Sequence, residues 1–527
     1  MRIENFEGIA PAQNGTKAAL YGYAAVANNC DLSRGGIYPW GVTSTKEAAR
    51  VYTPAHQTII RINNNYISFP DGTACRSPLA NDSWERVYHS PKAGGLYCWY
   101  NVAPGVNSVA AGIQNYEQLG LPVPNTPIVA TNRPTIDPPA GESATFTYYI
   151  VTFVNQYGEE SAPCDPTEEV EMYSDTTVSI TSPTFPDDRP LINTWRIYKV
   201  VEGQWLFVAD VPKGTASYTD TLDGAVGEAL ISGEWFAPPS DIKGVSLSPA
   251  GFLVGYTGRN VHFSEQYLPH AWPPSYSLTC QYDIKGVVAV ANGVVVITTG
   301  RPYVALGTAP SAMQLRDIES DYGCVSAESI VDMGEYAVYA SHVGLIALDA
   351  SGQATNLTES LINYRQWAEM NPSTIKAVRM QHLYLFLAGG VWYGLDTKAA
   401  KLITVDVSAI PYGAVYDTEL GQLLHLDNGY LVRTKLTGTR FTWQSKTVAS
   451  QKRERFAWVQ VESEGYPVEV TVTYPSASGD LVHTHIADNA LPARLAPHAG
   501  DSFYITIAAD KAVYAVTLTN DLRELTQ

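Results

Sequence analysis

Three short stretches carry residue types that could do chemistry. In "HTH", His483 and His485 stand two apart, on one face of a strand, and offer two nitrogens to a metal ion. The spacing fixes no third ligand, so metal binding is the weaker reading. "DIESD" gathers Asp317, Glu319 and Asp321, the residue type that glycosidic cleavage uses in pairs. A loop of solvated acids explains it better. "QKRER", from Gln451 to Arg455, is the sole basic cluster, and an exposed edge or subunit contact fits it better than a phosphate site. Turns such as "VDMGEY" and "LDASGQ" hold Asp and Gly because those residues close tight turns. They lack the Ser-x-Asp-x-Gly-x-Thr-Trp order of sialidase-type repeats. No G-x-S-x-G elbow or G-x-x-x-x-G-K loop occurs. No residue is therefore assigned a catalytic, metal-ligating or cofactor-binding role, no cofactor is expected, and the chain reads as a non-enzyme.

Six cysteines, Cys30, Cys75, Cys98, Cys164, Cys280 and Cys324, are scattered without a C-x-x-C, which predicts free and mostly buried thiols. The opening "MRIENFEGIAPAQNG" has no apolar run after its charge, so no secretory signal is expected. The Asn-x-Ser/Thr triplets at Asn14, Asn81 and Asn356 then carry no glycan. No apolar stretch approaches the ~18 residues of a spanning helix. Net charge is -18, from 34 basic and 52 acidic residues, which excludes tight adhesion to a polyanion by counterion release. An acidic wall could still serve DNA by letting a duplex slide past.

What must position these residues is mostly strand. Charged residues are 16% of the 527, under the usual ~25%, and surface helices consume charge. From 244 to 436 a unit recurs: a turn, an apolar strand, a short turn and another strand. Its inner strands read "GFLVGY", "GVVVIT", "EYAVYA", "HLYLFL" and "GQLLHL", from 251, 293, 335, 382 and 421. A period near 40 to 50 residues is that of β-propeller blades. "HQTIIRINNNYISFPDG" (56–72) and "WERVYHSPKAGGLYCWYNV" (84–102) alternate similarly, and predict that the ring closes across the chain with six or seven blades. Residues 125–240 break the period with short alternating strands, a hairpin at Glu202-Gly203 and an interior Trp195. They predict an inserted sandwich of fibronectin III or immunoglobulin type. The expected division is 1–124 as the N-terminal part of the propeller or a platform, 125–240 as the sandwich, 241–440 as the main blades and 441–527 as a C-terminal β-domain. A short helix is expected in 357–370, capped by Thr358, with Leu361, Tyr364, Trp367 and Ala368 on one face, and "GTKAALYGYAAVANNCDLSRGGIYPW" near the start can hold another.

The segment "HFSEQYLPHAWPPSY" (262–276) is too rich in proline for a helix or a regular strand. It predicts a rigid extended crossover with Tyr267, His270, Trp272 and Tyr276 filling space. Its core, Phe263, Ser264, Glu265, Leu268, Pro269, His270, Trp272 and Pro273, resembles a signature of the nozzle or tail tubular protein B family, which forms the distal part of short bacteriophage tails. The likeness continues in "IKGVVAVANGVVVITTGRPYVALGTAPSAM", "YGCVSAESIVDMGEYAVYASHVGLIAL", "NLTESLINYRQWAEMNPSTIKAV" and the opening "FEGIAPAQNGTKAALYGYAAVANNCDLSRGGIYP". Gln266 departs from it, standing where a proline is expected. The resemblance implies a virion protein of the tail, made in the host cytoplasm. It would form a six-membered ring around the DNA channel that retains and then conducts the genome, next to an adaptor protein and tail fibres or spikes. The alternative is a propeller-based glycan-binding or glycan-degrading tail protein.

Overall fold

The computed structural model describes residues 1–13, 15–46, 55–62, 65–101, 115–133, 139–407 and 414–525. About half of the chain is strand and 5% is helix, so the protein is all-β. Among the described residues six up-and-down runs of four antiparallel strands, the unit from which propeller blades are made, recur along it, and one of them, 376–404, continues into a ten-stranded sheet. The chain divides into two compact units: Met1–Gly72, Tyr282–Ala305 and Arg316–Gln527 form one, Thr73–Gln281 and Leu306–Leu315 the other.

The second unit holds two of these sheets. One is Thr73–Arg76, Val87–Ser90, Tyr97–Trp99 and Tyr116–Gln118; the other is Lys243–Leu247, Leu253–Thr257, Asn260–Phe263 and Ser277–Thr279. They share a core of Tyr88, Leu96, Leu119, Val245, Leu253 and Trp272. Between them in sequence lies a sandwich. One sheet is Val129–Asn132, Thr177–Thr181 and Ser217–Thr221, the other Tyr149–Asn155, Ile192–Val201 and Gln204–Pro212. Trp195 is fully buried in it. The hairpin turns at Glu202 (φ 51°) and Gly203 (φ 81°), the doubly left-handed turn whose twist matches paired strands.

In the first unit the sheets begin with Ile284–Val290, Val331–Asp332, Lys376–Met380 and Val415–Asp417. Each of the five strands expected from the repeat is the second in its sheet, hydrogen-bonded on both sides. That interior position explains their unbroken apolar runs: Val294, Val295, Val296 and Ile297 have no exposed surface. The last sheet, Val415–Asp417, Gln422–Asp427 and Tyr430–Thr437, takes its fourth strand from the other end of the chain. Gly41–Lys46 pairs with it in the register Val432↔Lys46 to Thr437↔Gly41. The strand that completes this sheet from the N-terminal side of the chain is therefore 41–46. Residues 56–72, expected to build a blade, form the hairpin Thr58–Ile62 and Asn65–Phe69, whose Ile59 and Tyr66 pack on Leu424, Leu426 and Leu431. "GVTSTK" carries one apolar residue, too few for its alternation to show.

The C-terminal residues build a second sandwich around Trp443, Val470, Ile505 and Val516, and the N-terminus joins it. Arg2–Ile3 pairs with Val513–Thr519, the Met1 ammonium donates to Leu518 O at 2.7 Å, and Ala24–Asn28 pairs with Phe441–Ser445. The predicted helix is shorter than expected, Tyr364–Glu369, and Asn363 caps it in a reciprocal box with Gln366. Thr358 is buried and spends its hydroxyl on Leu345 N–H. Tyr364 and Ala368 face solvent while Trp367 is buried, because six residues make too few turns to present a full face.

Candidate functional site

The crossover 262–276 is folded rather than extended. Leu268 N–H bonds Glu265 O, Ala271 N–H bonds Leu268 O, and Tyr276 N–H bonds Pro273 O, three successive i to i+3 closures. Pro269 and Pro274 sit at the second position of two of these turns, where a fixed φ near -65° favours closure. The prolines thus build turns instead of a rod. Tyr267 reverses the chain at φ 59°. Its amide donates to Gly251 O at 2.7 Å, and Gln266 Nε2 donates to Ala250 O at 2.7 Å, so the residue that departs from the resemblance is itself a tether.

The motif residues face inward. Phe263, Ser264, His270 and Trp272 are at most 3% exposed, and Pro269 and Pro273 are buried. Ser264 Oγ accepts from Leu253 N–H at 2.9 Å. Trp272 Nε1 donates to Pro269 O and its amide to Phe236 O, both at 2.8 Å. Leu268 and Glu265 are half-buried.

His270 ends against a buried ion network. Its Nδ1 lies 3.7 Å from Glu159 Oε1, its ring meets Trp235 edge-on at 5.7 Å, and neither nitrogen has a well-formed hydrogen bond among the described residues. Burial holds this imidazole below its ordinary value, outweighing Glu159. Glu159, in the loop after Tyr149–Asn155, accepts from Arg86 Nη1 at 2.7 Å and from Asn155 Nδ2 at 2.7 Å. Arg86 Nε reaches Asp82 at 2.8 Å, and its guanidinium lies over Tyr157. Burial opposes the Arg86 charge, but Tyr88, Glu159 and Asp82 outweigh it and raise its pKa. The next residue, Glu160, accepts from Thr152, Tyr198 and Arg196. Arg86 directly precedes the strand Val87–Ser90 of a four-stranded sheet, Glu159 and Glu160 follow the sandwich strand Tyr149–Asn155, and His270 comes from the crossover. The network thus ties three elements of one unit together.

Sequence reasoning missed Arg86, Glu159 and Glu160. A Glu-Glu pair in a loop reads as surface, and only its charged partners from distant positions make it interior. The adjoining cavity, lined by Tyr100, Glu117, Tyr157 and Arg189, has about 30 Å³ of free volume, room for roughly two waters. Burial raises Glu117 and lowers Arg189 there.

The other candidates stay apart. Asp317, Glu319 and Asp321 are exposed. His483 and His485 lie on the strand Leu481–Ala487; burial, then His498 and His485, lower the His483 pKa. Among the described residues no group of three His, Cys, Asp or Glu could hold a metal ion. All six cysteines are free, and five are buried. In the basic cluster Lys452, Arg453 and Arg455 are exposed on Val448–Arg455. Asn356 Nδ2 donates to Val343 O, Asn81 sits at φ 58°, and Asn14 lies outside the described residues. Among those residues no helix is long and apolar enough to cross a membrane.

No family model matches the chain, and no curated protein matches it. Among 230 chains of known structure that match is BBS1N in complex with ARL6DN, 11% identical over 76% of this chain and 98% of that one, TM-score 0.29. Another is Sqt1 of Saccharomyces cerevisiae, 10% identical over 79% and 100%, TM-score 0.27. Hsv2 of Kluyvelomyces marxianus is 12% identical over 51% and 71%, TM-score 0.24. Scores this low carry no argument, and the fold class rests on the sheets themselves.

Proposed function

We propose that this chain is a structural subunit of a short bacteriophage tail, the nozzle that surrounds the DNA channel. The observation that carries the reading is the state of the motif residues. Phe263, Ser264, Pro269, His270, Trp272 and Pro273 are all buried; Ser264 and Trp272 spend their polar atoms on backbone groups inside the unit, and His270 packs against the buried network of Glu159 and Arg86. A motif consumed by internal packing suits a protein whose task is to hold shape under load. The net charge of -18 suits a conduit that must not grip a polyanion. In this reading copies assemble as a ring of six beneath an adaptor, beside fibres or spikes, and the ring retains and then releases the genome without chemical turnover.

The full-length chain, purified and imaged by negative-stain electron microscopy with light scattering for mass, tests this. A six-membered annulus with an open centre is expected. A trimer, or a monomer that turns over a bacterial surface glycan, overturns it.

A further inference from the structure

The strand Leu481–Ala487 ends its sheet. Val468–Tyr474 pairs with one side of it in the register Val468↔Ala487 to Tyr474↔Leu481, and among the described residues no strand pairs with the other. Protected edges carry charge, proline or a bulge; "LVHTHIA" contains no Asp, Glu, Lys, Arg or Pro. It exposes apolar surface as well: Leu481 is 40%, Val482 52% and Ile486 57% exposed, with Leu491 at 73% just beyond. Thr484 Oγ1 meets Thr471 Oγ1 at 2.9 Å, which places Val482, Thr484 and Ile486 on that same open face by the two-residue alternation of a strand.

We propose that this edge is a self-recognition site, at which Leu481–Ala487 pairs antiparallel with the same strand of a second copy about a two-fold axis through Thr484. The sequence is close to a palindrome about that residue. Thr484 meets Thr484, His483 meets His485, Val482 meets Ile486 and Leu481 meets Ala487, so every position faces one of its own class. A two-fold contact demands this self-complementarity, since one surface must serve as both halves. Main-chain bonds of the added strand supply affinity, and the cross-strand Val–Ile pairs add to it. Two copies at -18 each repel one another, and the seven residues of this strand add no fixed charge to that repulsion, Asp480 and Asp488 standing just beyond its two ends. A two-fold contact differs from the head-to-tail contact of a ring, so this inference stands apart from the nozzle reading and describes the free subunit.

Sedimentation of the full-length chain over a concentration series reads the pairing directly. The native chain is expected to dimerise reversibly. Val482→Lys with Ile486→Lys opposes two like charges twice across the axis and is expected to shift the midpoint at least tenfold upward with an unchanged circular dichroism spectrum. Val482→Lys with Ile486→Glu opposes unlike charges and is expected to keep the dimer. Thr484→Cys brings two thiols across the axis, where antiparallel partners stand about 4.5–5.5 Å apart, and is expected to give an oxidised covalent dimer that Leu481→Cys does not. A native chain that stays monomeric throughout, equal behaviour of the two charge variants, or equal cross-linking of the two cysteine variants overturns the proposal. Equal behaviour of either pair of variants would leave a six-membered annulus, if one is seen, untouched.

Discussion

Arg86 Nη1 donates to Glu159 Oε1 at 2.7 Å, with the two side chains 7% and 11% exposed. The residues are separated by 73 positions, and the pair joins a four-stranded sheet to the inserted sandwich. A buried charge stripped of its partner is far more costly than the intact pair is favourable.

Glu159→Gln is therefore expected to lower unfolding stability of this unit by about 3–5 kcal/mol, measured by urea denaturation with tryptophan fluorescence. Replacing Arg86 and Glu159 together by Met and Gln should cost less than the sum of the single changes, because the Arg86–Glu159 pair is then counted once, while Asp82 still loses its Arg86 partner.

Acid should weaken the fold. Burial lowers His270 and takes His425 down to about 4, while an unfolded histidine titrates near ~6.5. The unfolded chain then binds more protons than the folded one, so stability is full above about pH 6.5 and falls as the pH drops toward 4. The thermal midpoint should decline over that window. His425→Leu should flatten the decline, removing up to roughly 3 kcal/mol of pH dependence.

Gly251 is held at φ +86°, and a Cβ there would stand 2.3 Å from the Tyr267 ring. Gly251→Ala is expected to destabilise the crossover by about 1–3 kcal/mol. Tyr267→Ala in the same chain should recover the steric part and leave the backbone strain, read as a non-additive double-mutant cycle.

Removing residues 1–46 deletes the strand Gly41–Lys46 and opens the edge of Tyr430–Thr437. The truncated chain should aggregate at concentrations where the full chain stays dispersed, measured by light scattering at constant temperature.

The repeat in 244–436 was legible because interior strands must be apolar on both faces, so their runs stand out from the polar turns at a steady spacing. Trp195 and the Glu202-Gly203 turn were legible for the same local reason. The Gly41–Lys46 strand was not: its pairing with Tyr430–Thr437 lies almost four hundred residues away, and a single Val in "GVTSTK" gives no periodic signal. The crossover misled in a different way. Three prolines in "YLPHAWPPSY" fit both an extended rod and a string of turns, and Tyr267 at positive φ decided between them.

Local chemistry alone set the strand class, the turn positions and the spacing of the sheets, since alternation and φ preference act within a few residues. Which distant groups meet belonged to the tertiary structure. Glu159 and Arg86 each look like surface residues in isolation, and Met1 looks like a free end. Chain connectivity places no constraint on such pairings, so they exist only once the sheets have packed and water has been excluded from between them.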